Sequence, residues 1–181
     1  NERCQLLEWD SEFFGLRIAR LHGSQLCPAE VVALERWCVA ERIDCLYFLA
    51  DCRCPETIAT AERSGFGCKD VRVTYEWKSA LGARGVRPRI GEQDTVRAQR
   101  PADKEALVAI ARCAHTDTRF FFDRRFNPNR AAVLYETWIR QACERDYVFV
   151  GEAHGEPAGY LTCQTADGCA GTIGLSAPPK L

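Results

Sequence analysis

Gly151-Glu152-Ala153-His154-Gly155-Glu156-Pro157-Ala158-Gly159-Tyr160 is the stretch on which the fold turns. Tyr147–Ala153 and Pro157–Ala166 are apolar runs on either side of the turn His154-Gly155-Glu156, so they read as two antiparallel strands. Asp167-Gly168 marks a second turn into Gly171–Ser176, which makes a three-strand meander. Upstream, Ala131–Cys143 reads as a helix with Tyr135, Trp138, Ile139 and Ala142 on one face. Thr116–Asn129 has no period and reads as an irregular loop. Before it, Pro101 opens a helix that carries Leu107, Ile110, Ala111 and Ala114 at helical spacing. Asp103 and Glu105 near its start suit the positive end of the helix dipole. Thr95–Gln99 is the strand that leads into it. The second half therefore runs strand, helix, helix, strand, strand, strand.

The first half is a smaller α/β pattern. Gln5–Trp9 and Leu16–His22 read as strands joined by a loop around Phe13, Phe14 and Gly15. Pro28–Ile43 reads as a helix, with proline in its first turn and Val31, Leu34 and Cys38 on one face. The continuous apolar run Cys45–Ala50 predicts a buried parallel strand. Pro55–Ser64 predicts a short helix terminated by Gly65. Val71–Lys78 alternates as a strand, with Val71, Val73, Tyr75 and Trp77 on one face. Gly82, Gly85 and Pro88 then punctuate a stretch without periodicity. The expected organisation is an N-terminal region 1–78, a linker 79–93 and a second domain 94–181.

Composition narrows the class. The chain has 181 residues, 46% hydrophobic and 27% charged, with a formal net charge of −1. That is a globular chain with no general electrostatic pull towards nucleic acid or anionic lipid. No apolar run approaches a membrane span, and no signal peptide precedes Arg3. The 11 cysteines sit largely inside apolar runs, without any Cys-x-x-Cys. Cys52 and Cys54 are close together, but no second pair follows at zinc spacing, so no metal is expected. Reduced thiols acting as small hydrophobes, in the cytoplasm, fit this pattern. The chain starts at Asn1 and holds no methionine, so it is expected to be less than a complete translation product.

The order βααβββ, with its hairpin at 151–160, resembles the first half of a GNAT N-acetyltransferase. Ala61-Glu62-Arg63-Ser64-Gly65-Phe66, followed by Val71–Lys78, looks like the helix-Gly-Phe-strand ending of such a domain. An ending placed before a beginning is similar to the bacterial dTDP-fucosamine (dTDP-4-amino-4,6-dideoxygalactose) acetyltransferases. Leu7-Glu8-Trp9-Asp10-Ser11-Glu12-Phe13-Phe14-Gly15, Arg119-Phe120 and Tyr135-x-x-Trp138-Ile139 match their pattern in order. The fold that this implies is α/β (α+β), a GNAT-like mixed sheet flanked by helices, with a small N-terminal α/β region. The family's Gln/Arg-x-x-Gly-x-Gly/Ala pyrophosphate loop does not follow Thr172–Ser176, so the expectation is a C-terminally truncated domain. An uncovered strand edge predicts a homodimer or swapped elements.

The resemblance implies acetyl transfer from acetyl-CoA, as co-substrate, to a small-molecule amine, with a nucleotide-linked amino sugar as a candidate acceptor. Leu175, Ser176 and Ala177 would hold the cofactor's pantetheine arm through their backbone. The loop residues Asp117, Arg119, Phe120, Phe121 and Phe122 would meet the acceptor, since arginine forks pair with phosphate and aromatic faces suit rings. The bland counterpart has the phenylalanines anchoring the loop and the arginines solvated. Of His22, His115 and His154, only His115, at a helix end facing this loop, is a candidate base. Glu152, on a strand, is a weaker candidate. No partner nucleic acid or membrane is expected. The other class left open is a GNAT-derived module without catalysis, used for binding or assembly.

Overall fold

The computed structural model describes residues 2–76, 95–166 and 170–177. The chain divides into two compact units, Asn1–Lys69 and Asp70–Leu181. The expected linker 79–93 lies outside the described residues. Among the described residues, no helix is long and apolar enough to cross a membrane.

The first unit is built on a three-stranded sheet in the order β1 (Cys4–Leu6), β2 (Ile18–Leu21), β3 (Cys45–Phe48). β1 pairs antiparallel and β3 parallel with β2, so this sheet is mixed. The segment expected as strand and loop after Leu6 is instead a helix, α1 (Glu8–Phe14). Glu8 and Asp10 favour its first turn, and Gly15 ends it at φ 69°. Ser11 Oγ donates to Leu7 O at 2.6 Å and accepts from Ile18 N at 2.9 Å, tying this helix to β2. At seven residues it is too short to show a helical period.

α2 (Pro28–Ala40) makes the crossover that parallel β2 and β3 require. β3 is an edge strand: only Cys45 is buried, and Leu46–Phe48 are half-buried. The apolar run there therefore covers less than its composition suggested. α3 (Pro55–Arg63) ends as Gly65 predicts. Gly65 sits at φ 81°, its N–H bonds Glu62 O at 3.0 Å, and the next N–H, of Phe66, bonds Ala61 O at 3.0 Å. This turn delivers the Phe66 ring to Phe48, 5.8 Å away, beside a core of Leu21, Leu26, Leu34 and Ala61.

Residues 71–76 form no strand, which corrects the expected strand Val71–Lys78 over its described part. Val71, Val73 and Tyr75 are exposed, because their alternation finds no pairing strand among the described residues. Trp77 and Lys78 lie outside those residues.

The second unit carries β4 (Thr95–Ala98), a 3₁₀ turn Pro101–Asp103, α4 (Lys104–Ala114), α5 (Arg119–Phe122), α6 (Pro128–Arg145), β5 (Tyr147–Ala153), β6 (Glu156–Ala166) and β7 (Ala170–Ala177). Its sheet runs β4-β5-β6-β7, all antiparallel, so the mixed sheet expected here is not found among these strands. Ala153 pairs with Glu156, leaving only His154 and Gly155 in the turn. Both have positive φ, 53° and 83°, as a two-residue type I′ turn demands.

α4 and α6 pack together over one sheet face. Leu107, Ala111, Leu134 and Ile139 from the helices meet the layer that holds Val148, Val150, Tyr160 and Thr162, and all are buried. Arg140 bonds both carboxylate oxygens of Glu105, and Lys104 pairs with Glu144, so α4 and α6 are also laced at their surface. Such pairs contribute little beside the apolar layer. Val96, Tyr147, Phe149 and Ile173 lie exposed; Tyr147 and Phe149 alternate on β5 with Val148 and Val150, which are buried under the helices.

Ile139 is fully buried, whereas Val133 on the same helix is 41% exposed. Ile139→Ala is expected to lower unfolding stability by about 2–5 kcal/mol, while Val133→Ala stays within about 0.5 kcal/mol. Urea unfolding followed by circular dichroism measures both.

Candidate functional site

The sequence-predicted residues fall on three elements of the second unit: the end of α4, the loop that holds α5, and β7. β7 is irregular at the position that matters. Leu161 pairs with Ser176 and Cys163 with Ile173, so Gly174 and Leu175 together face the single residue Thr162. This is a bulge, the device by which a strand re-aims its backbone. Thr162 Oγ1 accepts the Leu175 N–H at 2.7 Å, taking over a bond that a regular ladder would give to main chain. A Cβ on Gly174 would lie 2.8 Å from the same oxygen, so only glycine fits there. Thr162 and Gly174 carry no signal in the sequence beyond being a threonine in a strand and a glycine in another.

Of the cofactor candidates, Leu175 is half-buried, Ser176 is exposed and Ala177 is buried opposite Tyr160. A cavity of about 270 Å³ opens beside the bulge, lined by Trp138, Gln141, Arg145, Thr162, Gln164 and Leu175. A larger groove of about 520 Å³ lies in the first unit against α2, but its two charged groups, Arg3 and Glu30, are already paired with each other. It offers an apolar wall and two charged groups committed to each other.

The loop 116–129 is less irregular than expected, because Arg119–Phe122 makes one helical turn, α5. Phe120 is only 2% exposed and packs edge-on against Phe126, Tyr135 and Trp138. It anchors the loop, as the bland alternative had it, rather than facing solvent. Arg119 stands over the Phe120 ring, its guanidinium carbon 4.3 Å from the centroid. Phe121 is half-buried, while Asp117 and Phe122 remain at the surface.

His115 follows α4 as its C-cap. Its ring stacks on Tyr135 at 4.5 Å, and its Nε2 is hydrogen-bonded to the Tyr160 hydroxyl at 2.8 Å. Tyr135 in turn donates to Thr118 Oγ1 at 3.0 Å. Burial pushes the His115 pKa down, and Asp117 pulls weakly the other way, so the ring is neutral at pH 7. Burial raises both tyrosines, which keeps their hydroxyls protonated. The result is a connected polar chain Thr118–Tyr135 and His115–Tyr160 inside an aromatic cluster. The sequence singled out His115, but its two tyrosine neighbours come from elements far along the chain.

His22 and His154 lie elsewhere. His22 bonds the Gln5 side chain at 2.9 Å in the first unit, and His154 occupies the type I′ turn. Glu152 is fully engaged: Thr95 Oγ1 donates to it at 2.6 Å and Arg97 Nε at 2.7 Å. Arg97 also bonds both oxygens of Asp103, at 2.6 and 2.9 Å. These bonds lower the Glu152 pKa, so this carboxylate is a poor base. Among the described residues, no group of three His, Cys, Asp or Glu gathers in a way that could hold a metal ion.

The sequence matches no family model, and no curated protein registers as its relative.

Two acid-sensitive windows follow. The His115 pKa is lower folded than unfolded, so stability is intact above the unfolded value of about 6.5 and falls as the pH drops below it. The Arg97 bonds hold Asp103 at about 2 against its usual 3.8, so stability is lost again as pH falls from about 4 to about 2. Urea midpoints measured across pH should show both steps. His115→Gln is expected to remove the upper one, and Asp103→Asn to weaken the lower one. Thr162→Val should cost about 1–3 kcal/mol by leaving the Leu175 N–H without its acceptor.

Proposed function

We propose that the second unit is a GNAT-type N-acetyltransferase module, which takes acetyl-CoA as co-substrate and acetylates a small-molecule amine. The observation that carries this reading is the bulge in β7. It follows the strand, helix, helix and three-strand order and distorts the backbone at Leu175, where the resemblance puts the pantetheine arm. That arm asks for main-chain donors and acceptors; the Leu175 N–H is held by Thr162, so the groups left to meet it are the Leu175 carbonyl and the main chain of Ser176 and Ala177. The described residues hold no glycine-rich turn at a helix start for the pyrophosphate, so the fit is to the thioester end of the cofactor.

Acetyl transfer joins the amine nitrogen to the thioester carbonyl carbon and breaks the carbon–sulfur bond, and the nitrogen gives up a proton. In this reading His115, neutral and held by Tyr160, is the group able to take that proton. Asp117, Arg119, Phe121 and Phe122 are the loop residues left to meet the acceptor, with Phe120 holding the loop down. An amine on a nucleotide-linked sugar suits an arginine beside exposed aromatic rings. A reducing, cytoplasmic setting goes with the free thiols of Cys27, Cys38, Cys52, Cys54 and Cys113.

A second reading is a binding or assembly module without turnover. It is favoured by the exposed Val96, Tyr147, Phe149 and Ile173 and by the engagement of His115 and Glu152 in existing bonds. Isotope-labelled acetyl-CoA separates the two, since a thiol-detecting dye would react with the protein's own cysteines. Transfer of label to amino-sugar nucleotides, reduced at least about tenfold in His115→Gln, supports the enzyme. Amide shifts confined to Leu175–Ala177 without transfer support the module. Neither binding nor transfer rejects both.

A further inference from the structure

The loop between β3 and α3 carries a feature that the acetyltransferase reading does not use. Asp51-Cys52-Arg53-Cys54 is a tight turn, closed by the Cys54 N–H on Asp51 O at 3.0 Å. Cys52 is exposed and Cys54 half-buried, and both are free thiols. The residue between them points its charge elsewhere: Arg53 bonds both oxygens of Asp51, at 3.0 and 3.1 Å, with its side chain 87% exposed.

Cys54 occupies the N-cap of α3, yet its side chain makes no capping bond. A serine or aspartate at such a position stabilises the helix through that bond. The thiol instead donates to Glu56 Oε2 at 3.6 Å. The sulfur is thus spared from holding the helix, and the exposed Cys52 lies two residues before it in the same turn. Two residues apart in a turn, the two Cα atoms fall inside the span that a disulfide bridges. Among the described residues no group of three donors that could hold a metal ion forms here, and sulfur–sulfur chemistry remains open to the pair.

We propose that the turn Asp51–Cys54 is a redox-active dithiol site that reacts with low-molecular-weight disulfides and closes a Cys52–Cys54 disulfide. The accessible Cys52 thiolate attacks the small disulfide, forming a mixed disulfide and releasing one thiolate. Cys54 gives its proton to Glu56 and attacks Cys52 Sγ, releasing the second thiolate. The two protons that the cysteines lose end on the two departing thiols, so one disulfide is reduced as another forms. In a reducing compartment such a bond is transient, which is the use that cytosolic dithiols have.

The sequence offers a clean readout, because trypsin cuts between the two sulfurs. Cleavage after Arg42, Arg53 and Arg63 puts Cys52 in Ile43–Arg53 and Cys54 in Cys54–Arg63. The intact chain is treated with glutathione disulfide, its remaining thiols are alkylated, and it is digested without reduction. The expected product is peptide 43–53 linked to 54–63, abolished by dithiothreitol. The linked peptide should fall by at least about tenfold in Cys52→Ser, where Cys54 stops at the mixed disulfide. The same fall is expected in Cys54→Ser.

Three results overturn the proposal. One is the absence of the linked pair in the wild-type chain. Another is its persistence in Cys52→Ser, which would implicate the buried Cys45. The third is capture of Cys54 by Cys27, whose loop adjoins this one through Asp51 N to Ser24 O at 2.8 Å.

Discussion

One dry layer supports the second unit. Leu107, Ala111, Leu134 and Ile139 are buried against Val148 and Val150 with almost no exposure. At about 25 cal/mol per Å² of apolar surface removed from water, that layer is the main source of stability. It also fixes α4 and α6 on the sheet, and through them everything polar nearby. His115 reaches Tyr160 only because α4 ends over β6. Tyr135 stacks on His115 only because α6 lies beside α4.

Polar groups inside such a layer call for partners, and Thr162 and Asp103 have them. The buried hydroxyl of Thr162 answers the Leu175 N–H that the bulge takes out of the ladder. Asp103, only 6% exposed, is held by both Arg97 nitrogens and by the Arg100 N–H. The network Arg97–Asp103–Glu152 joins β4, the 3₁₀ turn and β5, so it locks the entry to α4 to the sheet edge. The Glu152 carboxylate is committed to that task. In the polar pair of the aromatic cluster, burial outweighs the pull of Asp117, which is why its histidine stays neutral.

Elements with strong local signals were legible in the sequence. Pro28 and Pro55 each stand at a helix start, and Gly65 and Gly155 stand where positive φ is needed; Pro128 opens α6 three residues before the expected start at Ala131, inside the stretch read as loop. The β5–β6 hairpin follows from alternation around His154-Gly155. What was misread has physical causes. α1 and α5 are too short for a helical period, and each hides among phenylalanines that also suit strands or loops. Val71, Val73 and Tyr75 alternate like a strand, but alternation is not pairing, and no partner strand meets them among the described residues. Phe120 was grouped with its exposed neighbours because a run of three phenylalanines does not say which ring turns inward.

The sequence by itself determined the starts of α2 and α3, the stop at Gly65 and the place of the β5–β6 turn, since proline and glycine act through neighbouring residues. It also marked His115 as the histidine nearest the loop. Tertiary structure alone decided that His115 meets Tyr160, 45 residues on, and that Gly174 and Leu175 share Thr162 as their partner. Register decides such contacts, and register is set by the fit of whole helices on a sheet. The Asp51–Cys54 turn lies between these cases. Its two thiols are plain in the sequence, but only the structure shows that they share one tight turn and that the Cys54 thiol does not cap α3.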